Sequence, residues 1–130
     1  MKKILLVEDH PETVVLFHTH ISGLEYALSV CSRGEDALKI AVQNYHDLIV
    51  VDHSLPDMQT PVLCQQLVSR KINSPILLLT GPSVNGAETA AACGADDWLA
   101  KPFTIRLLKA KVSKLIRRSD DQQRALTECG

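Results

Sequence analysis

No run of apolar residues in this sequence approaches the roughly 18 that a membrane-spanning helix needs, so no such helix is expected and a soluble protein is. The opening MKKILLV has the basic start of a secretory leader, but its apolar part ends after four residues at Glu8-Asp9 and reads as a first strand. The four cysteines, Cys31, Cys64, Cys93 and Cys129, show no C-x-x-C spacing and sit mostly in apolar surroundings. That argues against a disulfide framework or a zinc site and for reduced thiols in a cytoplasm. An excess of one charge is missing too: 14 basic against 15 acidic residues leave a formal net charge of -1, which asks for no nucleic acid. Internal repeats and low-complexity segments are absent, and no phosphate-cradling glycine-rich loop follows the first strand.

What is present describes one globular domain: 130 residues, 45% hydrophobic and 22% charged. Short apolar runs at Ile4 to Val7, Tyr26 to Cys31, Leu48 to Val51, Ile76 to Leu79 and Trp98 to Ala100 read as five strands. The first, third and fourth do not alternate, as expected of strands covered on both faces of a parallel sheet, while the mixed second reads as an edge. Between them lie helical stretches. Pro11 suits the first turn of one running to about Ser22, and Leu38, Ala41, Val42 and Tyr45 form the stripe of the second. Thr60-Pro61 reads as N-cap and first position of the third, and Asn85 with Glu88 resembles a capping box for the fourth. The fourth has an expected inner face of Val84, Ala87 and Ala91, flanked by Ala90 and Ala92. So few large side chains there imply weak anchoring beside the site. A last helix follows Pro102, with Ile105, Leu108, Val112, Leu115 and Ile116 on one face, and from Ser119 a polar tail reads as a frayed helix or the start of a linker. Five β-α repeats predict an α/β domain with a parallel sheet, helices on both faces and right-handed crossovers.

In such a sheet the strand C-termini share one edge, where ligands bind. Here that edge receives Glu8-Asp9, Asp52, Thr80 and Lys101. Three clustered carboxylates repel one another unless a cation compensates, and magnesium favours a few carboxylates together with waters and phosphate oxygens. With the cation bound, Asp52 can stay ionised and act as a nucleophile that forms an acyl phosphate. Lys101 would neutralise the transferring group, Thr80 could donate a hydrogen bond to one of its oxygens, and Gly81 leaves room for its backbone N–H to approach.

The ordered set Glu8-Asp9, DHSLPDM from Asp52, Thr80-Gly81, GADDW from Gly94 and Lys101-Pro102-Phe103 closely resembles the receiver domain of two-component response regulators, over residues 1 to about 118. The resemblance implies a flavodoxin-like (CheY-like) doubly wound fold of strand order 2-1-3-4-5 with five helices. It implies phosphorylation of Asp52 by a sensor histidine kinase or phosphotransfer protein, and Mg2+ held by Glu8, Asp9, Asp52 and the backbone carbonyl of Ser54. It also implies a cis Lys101-Pro102 bond, a switch formed by Thr80 and the aromatic at position 98, here Trp98, and a cytoplasmic, bacterial-type location. Slow self-dephosphorylation is expected, but not a primarily enzymatic role.

Where the family usually has glycine, this chain has Thr60, and Trp98 replaces the more usual tyrosine or phenylalanine. The last helix resembles that of receivers of winged-helix DNA-binding regulators, which dimerise through the fourth and fifth helices and the fifth strand. Leu107 stands where those have a glutamate and Thr89 where they have its basic partner, so Leu107 is expected to be buried against a partner, with Asp97 and Lys111 retaining an ion pair. An output domain outside this chain, rather than this domain, would bind nucleic acid. His10 and His53 read as exposed neighbours of the site, and His18 and His20 do not share a helix face. Two other readings stand beside the switch. A phosphorylation-independent flavodoxin-like interaction module leaves the acidic cluster and Lys101 unexplained. A phosphatase with an aspartate nucleophile would want a second acid two residues on, where Ser54 stands.

Overall fold

Residues 1–129 are described by a computed structural model, with side chains through Gln122. The elements run β1 (Lys2–Val7), α1 (Pro11–His20), β2 (Tyr26–Cys31), α2 (Gly34–Gln43), β3 (Leu48–Asp52), α3 (Thr60–Ser69), β4 (Ile76–Thr80), α4 (Gly86–Cys93), β5 (Asp97–Ala100) and α5 (Ile105–Cys129). All strand pairs are parallel, in the order β2-β1-β3-β4-β5, which puts the mixed second strand at an edge as expected. The β-α alternation predicts the parallel sheet, and the strand order is the flavodoxin-like one that the resemblance implies.

Side chains alternate between two apolar layers because successive strand residues face opposite ways. Ile4, Leu6, Leu48, Val50, Leu77 and Leu79 pack under α1 and α5, against Phe17, Leu108, Val112 and Leu115. Leu5, Val7, Ile49, Val51, Ile76 and Leu78 pack under α2, α3 and α4, against Ala37, Ala41, Leu63, Leu67, Ala90 and Cys93. Burial on both sides explains why these strands read as unbroken apolar runs. Among the described residues no helix is long and apolar enough to cross a membrane.

Three helix expectations need correction. In α2 the inward residues are Gly34, Ala37 and Ala41, whereas Val42 and Tyr45 are exposed. Ala37 and Ala41 face the sheet, with Leu38 and Ile40 packed partly buried beside them, and Val42 falls on the outer side. In α3 the N-cap is Gln59; Thr60 is the first helical residue, and its buried hydroxyl donates to the Asp52 carbonyl at 2.7 Å instead of capping the helix. In α4 the buried residues are Ala90 and Cys93, with Ala87 and Ala91 facing solvent. The Asn85 side chain does accept from the Glu88 N–H at 3.2 Å, and the buried face of α4 is again made of small side chains. From Ser119 the tail continues α5 to Cys129. Ser119 is buried with its hydroxyl 2.6 Å from that of Tyr45, and Asp120 pairs with Lys2. The reading of Cys129 as a thiol in apolar surroundings lies outside the described side chains.

Asp57, in the loop after β3, accepts the Gly34 and Glu35 N–H groups at 2.8 and 3.0 Å, and so caps α2 from outside the helix. Burial pushes its carboxyl up, but these hydrogen bonds outweigh that and hold it below the ordinary carboxylate value. Asp57→Ala is expected to cost about 1 kcal/mol in urea unfolding at pH 7, a typical loss for a helix cap. Because the folded value is depressed, this contribution is full above the unfolded value and fades as pH falls through the folded one. The gap between variant and wild type should therefore close below about pH 4.

Candidate functional site

Every strand except β2 ends by delivering one polar group to the same edge. Glu8 follows β1, Asp52 closes β3, Thr80 closes β4 and Lys101 follows β5. The register aligns them: Val7 lies beside Val51, Asp52 beside Leu79, and Thr80 beside Ala100. Glu8, Asp52 and Thr80 are buried, whereas Asp9 is exposed on the loop into α1.

The Lys101 ammonium sits 3.0 Å from Glu8 Oε2 and 3.1 Å from Asp52 Oδ1. Burial lowers its proton affinity, but the bond to Glu8 and the charges of Glu8 and Asp52 overcome that and raise it above the ordinary lysine value. The Lys101-Pro102 peptide bond is cis. Ser54, exposed after β3, donates its N–H to Asp52 Oδ2 at 3.3 Å. Gly81 is buried beside His53, and a Cβ there would approach His53 Cε1 to 3.1 Å.

Two buried side-chain oxygens among the described residues lack a hydrogen-bond partner: Asp52 Oδ1, whose contact with Lys101 is an ion pair outside hydrogen-bond geometry, and Thr80 Oγ1. Orphaned buried oxygens are costly, and two at one site mark it as built for something else to engage them. One ammonium also leaves three carboxylates under-compensated. One ligand atom from each of Glu8, Asp9, His10 and Asp52 lies within 4.8 Å of the others. A hard dication with oxygen ligands fits the three carboxylates of this set.

The His53 reading changes, whereas His10 is the exposed neighbour of the site that was expected, its side chain 56% exposed. His10 reaches into the cluster, with Nδ1 2.6 Å from Glu8 Oε1; that hydrogen bond holds its proton affinity above the ordinary histidine value. His53 is largely buried, with Nδ1 3.3 Å from the Leu79 carbonyl and 3.4 Å from Asp52 Oδ1. The available signal for His10 was its place between Asp9 and the helix-starting Pro11, which fixes its backbone at the mouth of the site.

On the neighbouring surface the Trp98 indole lies across Gly86, where a Cβ would fall 2.2 Å from Trp98 Cδ1. Lys111 Nζ sits 5.9 Å from the ring centroid and 2.9 Å from Asp97 Oδ1, so the expected Asp97-Lys111 pair forms within one chain. Leu107 is 46% exposed on the same face.

Comparison with known proteins places this geometry. Residues 4–113 match the family described as response regulator receiver domain. The chain is 39% identical over 124 residues to the alkaline phosphatase synthesis transcriptional regulatory protein PhoP of Bacillus subtilis, covering 92% of this chain and 50% of that one. It is 30% identical to the response regulator ArlR of Staphylococcus aureus, covering 91% and 54%. The chain thus spans about half the length of the curated relatives it matches. Among solved structures, the receiver domain of the sensor histidine kinase PA1611 from Pseudomonas aeruginosa, with a magnesium ion coordinated in its active-site cleft, superposes with a TM-score of 0.80 at 27% identity, covering 88% of this chain and 97% of that one.

Proposed function

The chain belongs to the response regulator receiver domain family, a signalling module rather than a catalytic enzyme, and on that premise we propose that it is a switch thrown by phosphorylation of Asp52. The observation that carries this reading is the pair of buried, unpartnered oxygens, Asp52 Oδ1 and Thr80 Oγ1, at an edge where carboxylates outnumber ammonium groups. Glu8, Asp9 and Asp52, with the Ser54 carbonyl, are the residues that would hold Mg2+. When bound, the ion supplies positive charge to the carboxylates and to the phosphoryl oxygens.

An Asp52 carboxylate oxygen forms the bond to phosphorus as the bond to the donor, an imidazole nitrogen of a histidine kinase or phosphotransfer protein, breaks with its electron pair. Lys101, already between Glu8 and Asp52, offers its ammonium to the transferring oxygens. The Thr80 hydroxyl and the Gly81 N–H donate to two others. Engagement of Thr80 then shifts the population of conformations at the surface of α4, β5 and α5, with Trp98 as the moving aromatic. Leu107, Asp97 and Lys111 lie on that surface and would meet a second copy or an output partner. Residues 1–118 form the receiver, the rest of α5 leads towards an output domain, and the setting is a bacterial-type cytoplasm.

Intact-mass measurement after incubation with acetyl phosphate tests this. A gain of one phosphoryl group that requires Mg2+ and disappears in Asp52→Asn is expected. Folded protein that gains nothing from acetyl phosphate and binds no Mg2+ would turn the reading towards a phosphorylation-independent interaction module.

A further inference from the structure

We propose that His10 is a direct ligand of the cation site, so that the site holds manganese or another first-row transition-metal dication in preference to magnesium. The inference rests on the reading of Glu8, Asp9 and Asp52 as metal-holding residues. It adds a fourth side chain of different chemistry.

The His10 ring points at the carboxylates rather than past them. Nδ1 lies 2.6 Å from Glu8 Oε1, 3.3 Å from Asp9 Oδ1 and 3.7 Å from Asp52 Oδ2, so a single nitrogen faces all three acids. Its backbone is fixed from both sides. The His10 N–H donates to Glu8 Oε1 at 3.1 Å, and Pro11 follows in the first turn of α1. The helix N-cap position is therefore occupied by a side chain that makes no capping bond and turns to the acids instead.

The four donors span at most 4.8 Å, close to the separation of opposite ligands around a dication with bonds of about 2.1 Å. The Asp52 carboxylate is the second sign: it is fully buried, with Oδ2 facing His10 Nδ1 at 3.7 Å and Oδ1 beside Lys101 without a hydrogen-bond partner. A cation at that point takes the Nδ1 lone pair in place of the proton now shared with Glu8. His53 does not serve as well. Its Nδ1 sits against the Leu79 carbonyl and is not among the four converging atoms.

An all-oxygen set suits magnesium, which keeps its waters and gains little from nitrogen. An imidazole is a better ligand for manganese and the later transition dications, whose affinity for nitrogen rises along the series. One histidine therefore tips the preference without changing the charge of the site.

The test is Mn2+ and Mg2+ calorimetry on the full chain, with pulsed electron paramagnetic resonance of bound Mn2+ to detect a directly coupled nitrogen. The nitrogen coupling is expected in the wild type and in His53→Gln, and absent in His10→Gln. Mn2+ affinity should fall at least about tenfold in His10→Gln while Mg2+ affinity changes less than about threefold. A coupling that is missing in the wild type, or persists in His10→Gln, overturns the inference, as does an equal loss of both metals. If acetyl phosphate still labels Asp52 in Mg2+ under those outcomes, the switch reading stands and only the ligand assignment falls. A wild type that binds neither ion and is not labelled removes both.

Discussion

Lys101→Met is expected to lower the unfolding free energy by about 3 kcal/mol at pH 7 in the absence of divalent cations, and millimolar Mg2+ is expected to return most of it. The ammonium is the only lysine or arginine nitrogen among the described residues within 4 Å of Glu8 and Asp52, both fully buried. Removing one partner of a buried charge pair costs about 3–5 kcal/mol, because the other charge stays behind without compensation. The lower end applies here, since Lys101 retains 22% exposure and His10 Nδ1 lies 2.6 Å from Glu8 Oε1. The sign with pH is fixed by the raised folded value of Lys101. Its contribution is complete below the unfolded lysine value of 10.5, so all of it is at stake at pH 7, and it is lost only as pH climbs through the folded value.

A cation that binds the folded state alone restores stability by mass action, about 2.7 kcal/mol at a hundred times its dissociation constant. Adding Asp52→Asn to Lys101→Met should restore stability without any metal, because one of the two stranded charges is gone. Urea midpoints with and without Mg2+ for the three proteins measure this. A Lys101→Met variant as stable as the wild type would mean that the carboxylates are hydrated and that Lys101 does not balance them.

What could be read from the sequence followed from periodicities and strand ends. Apolar runs without alternation gave the buried parallel strands, and a polar residue after each run gave the edge where Glu8, Asp52, Thr80 and Lys101 meet. What could not be read depends on close packing between distant segments. The choice of Ala37 and Ala41 over Val42 as the inner face of α2 is made where the helix meets the sheet, which no single-helix pattern carries. Thr60 reads as a cap by local preference. Its hydroxyl goes to the Asp52 carbonyl because the two segments come together in the fold. Asp57 is similar: its partners are more than twenty residues away on α2. His53 reads as a surface neighbour because one sequence does not show which way a ring turns; His10 is exposed as expected, but the sequence does not show that its Nδ1 also faces Glu8.

The indole of Trp98 is expected to leave solvent when Asp52 is phosphorylated. Trp98 is the only tryptophan in the chain, so intrinsic fluorescence reports on this ring alone. In the unphosphorylated protein the ring is 39% exposed, rests across Gly86 and has Lys111 above it. Leu78 pairs with Trp98 and Thr80 with Ala100, and Leu78 belongs to the α2-α3-α4 layer, so Thr80 and Trp98 project from the same face of the sheet on adjacent strands. A phosphoryl oxygen accepting from the Thr80 hydroxyl satisfies a buried group that now has no partner, worth about 1–3 kcal/mol, and draws the threonine towards Asp52.

Against this, an exposed cation–π contact contributes only about 0.5–1 kcal/mol. Moving the ring into the space Thr80 vacates removes about 60–100 Å² of ring surface from water, a further gain of about 1.5–2.5 kcal/mol. The balance favours the move. A blue shift of emission and weaker iodide quenching should therefore accompany the mass gain from acetyl phosphate. Thr80→Ala should keep the mass gain and lose the shift. Gly86→Ala should move the ring before any phosphorylation, since the added Cβ takes its place. Full phosphorylation by mass with unchanged emission would mean that the ring stays on Gly86 and that the signal does not pass through β5.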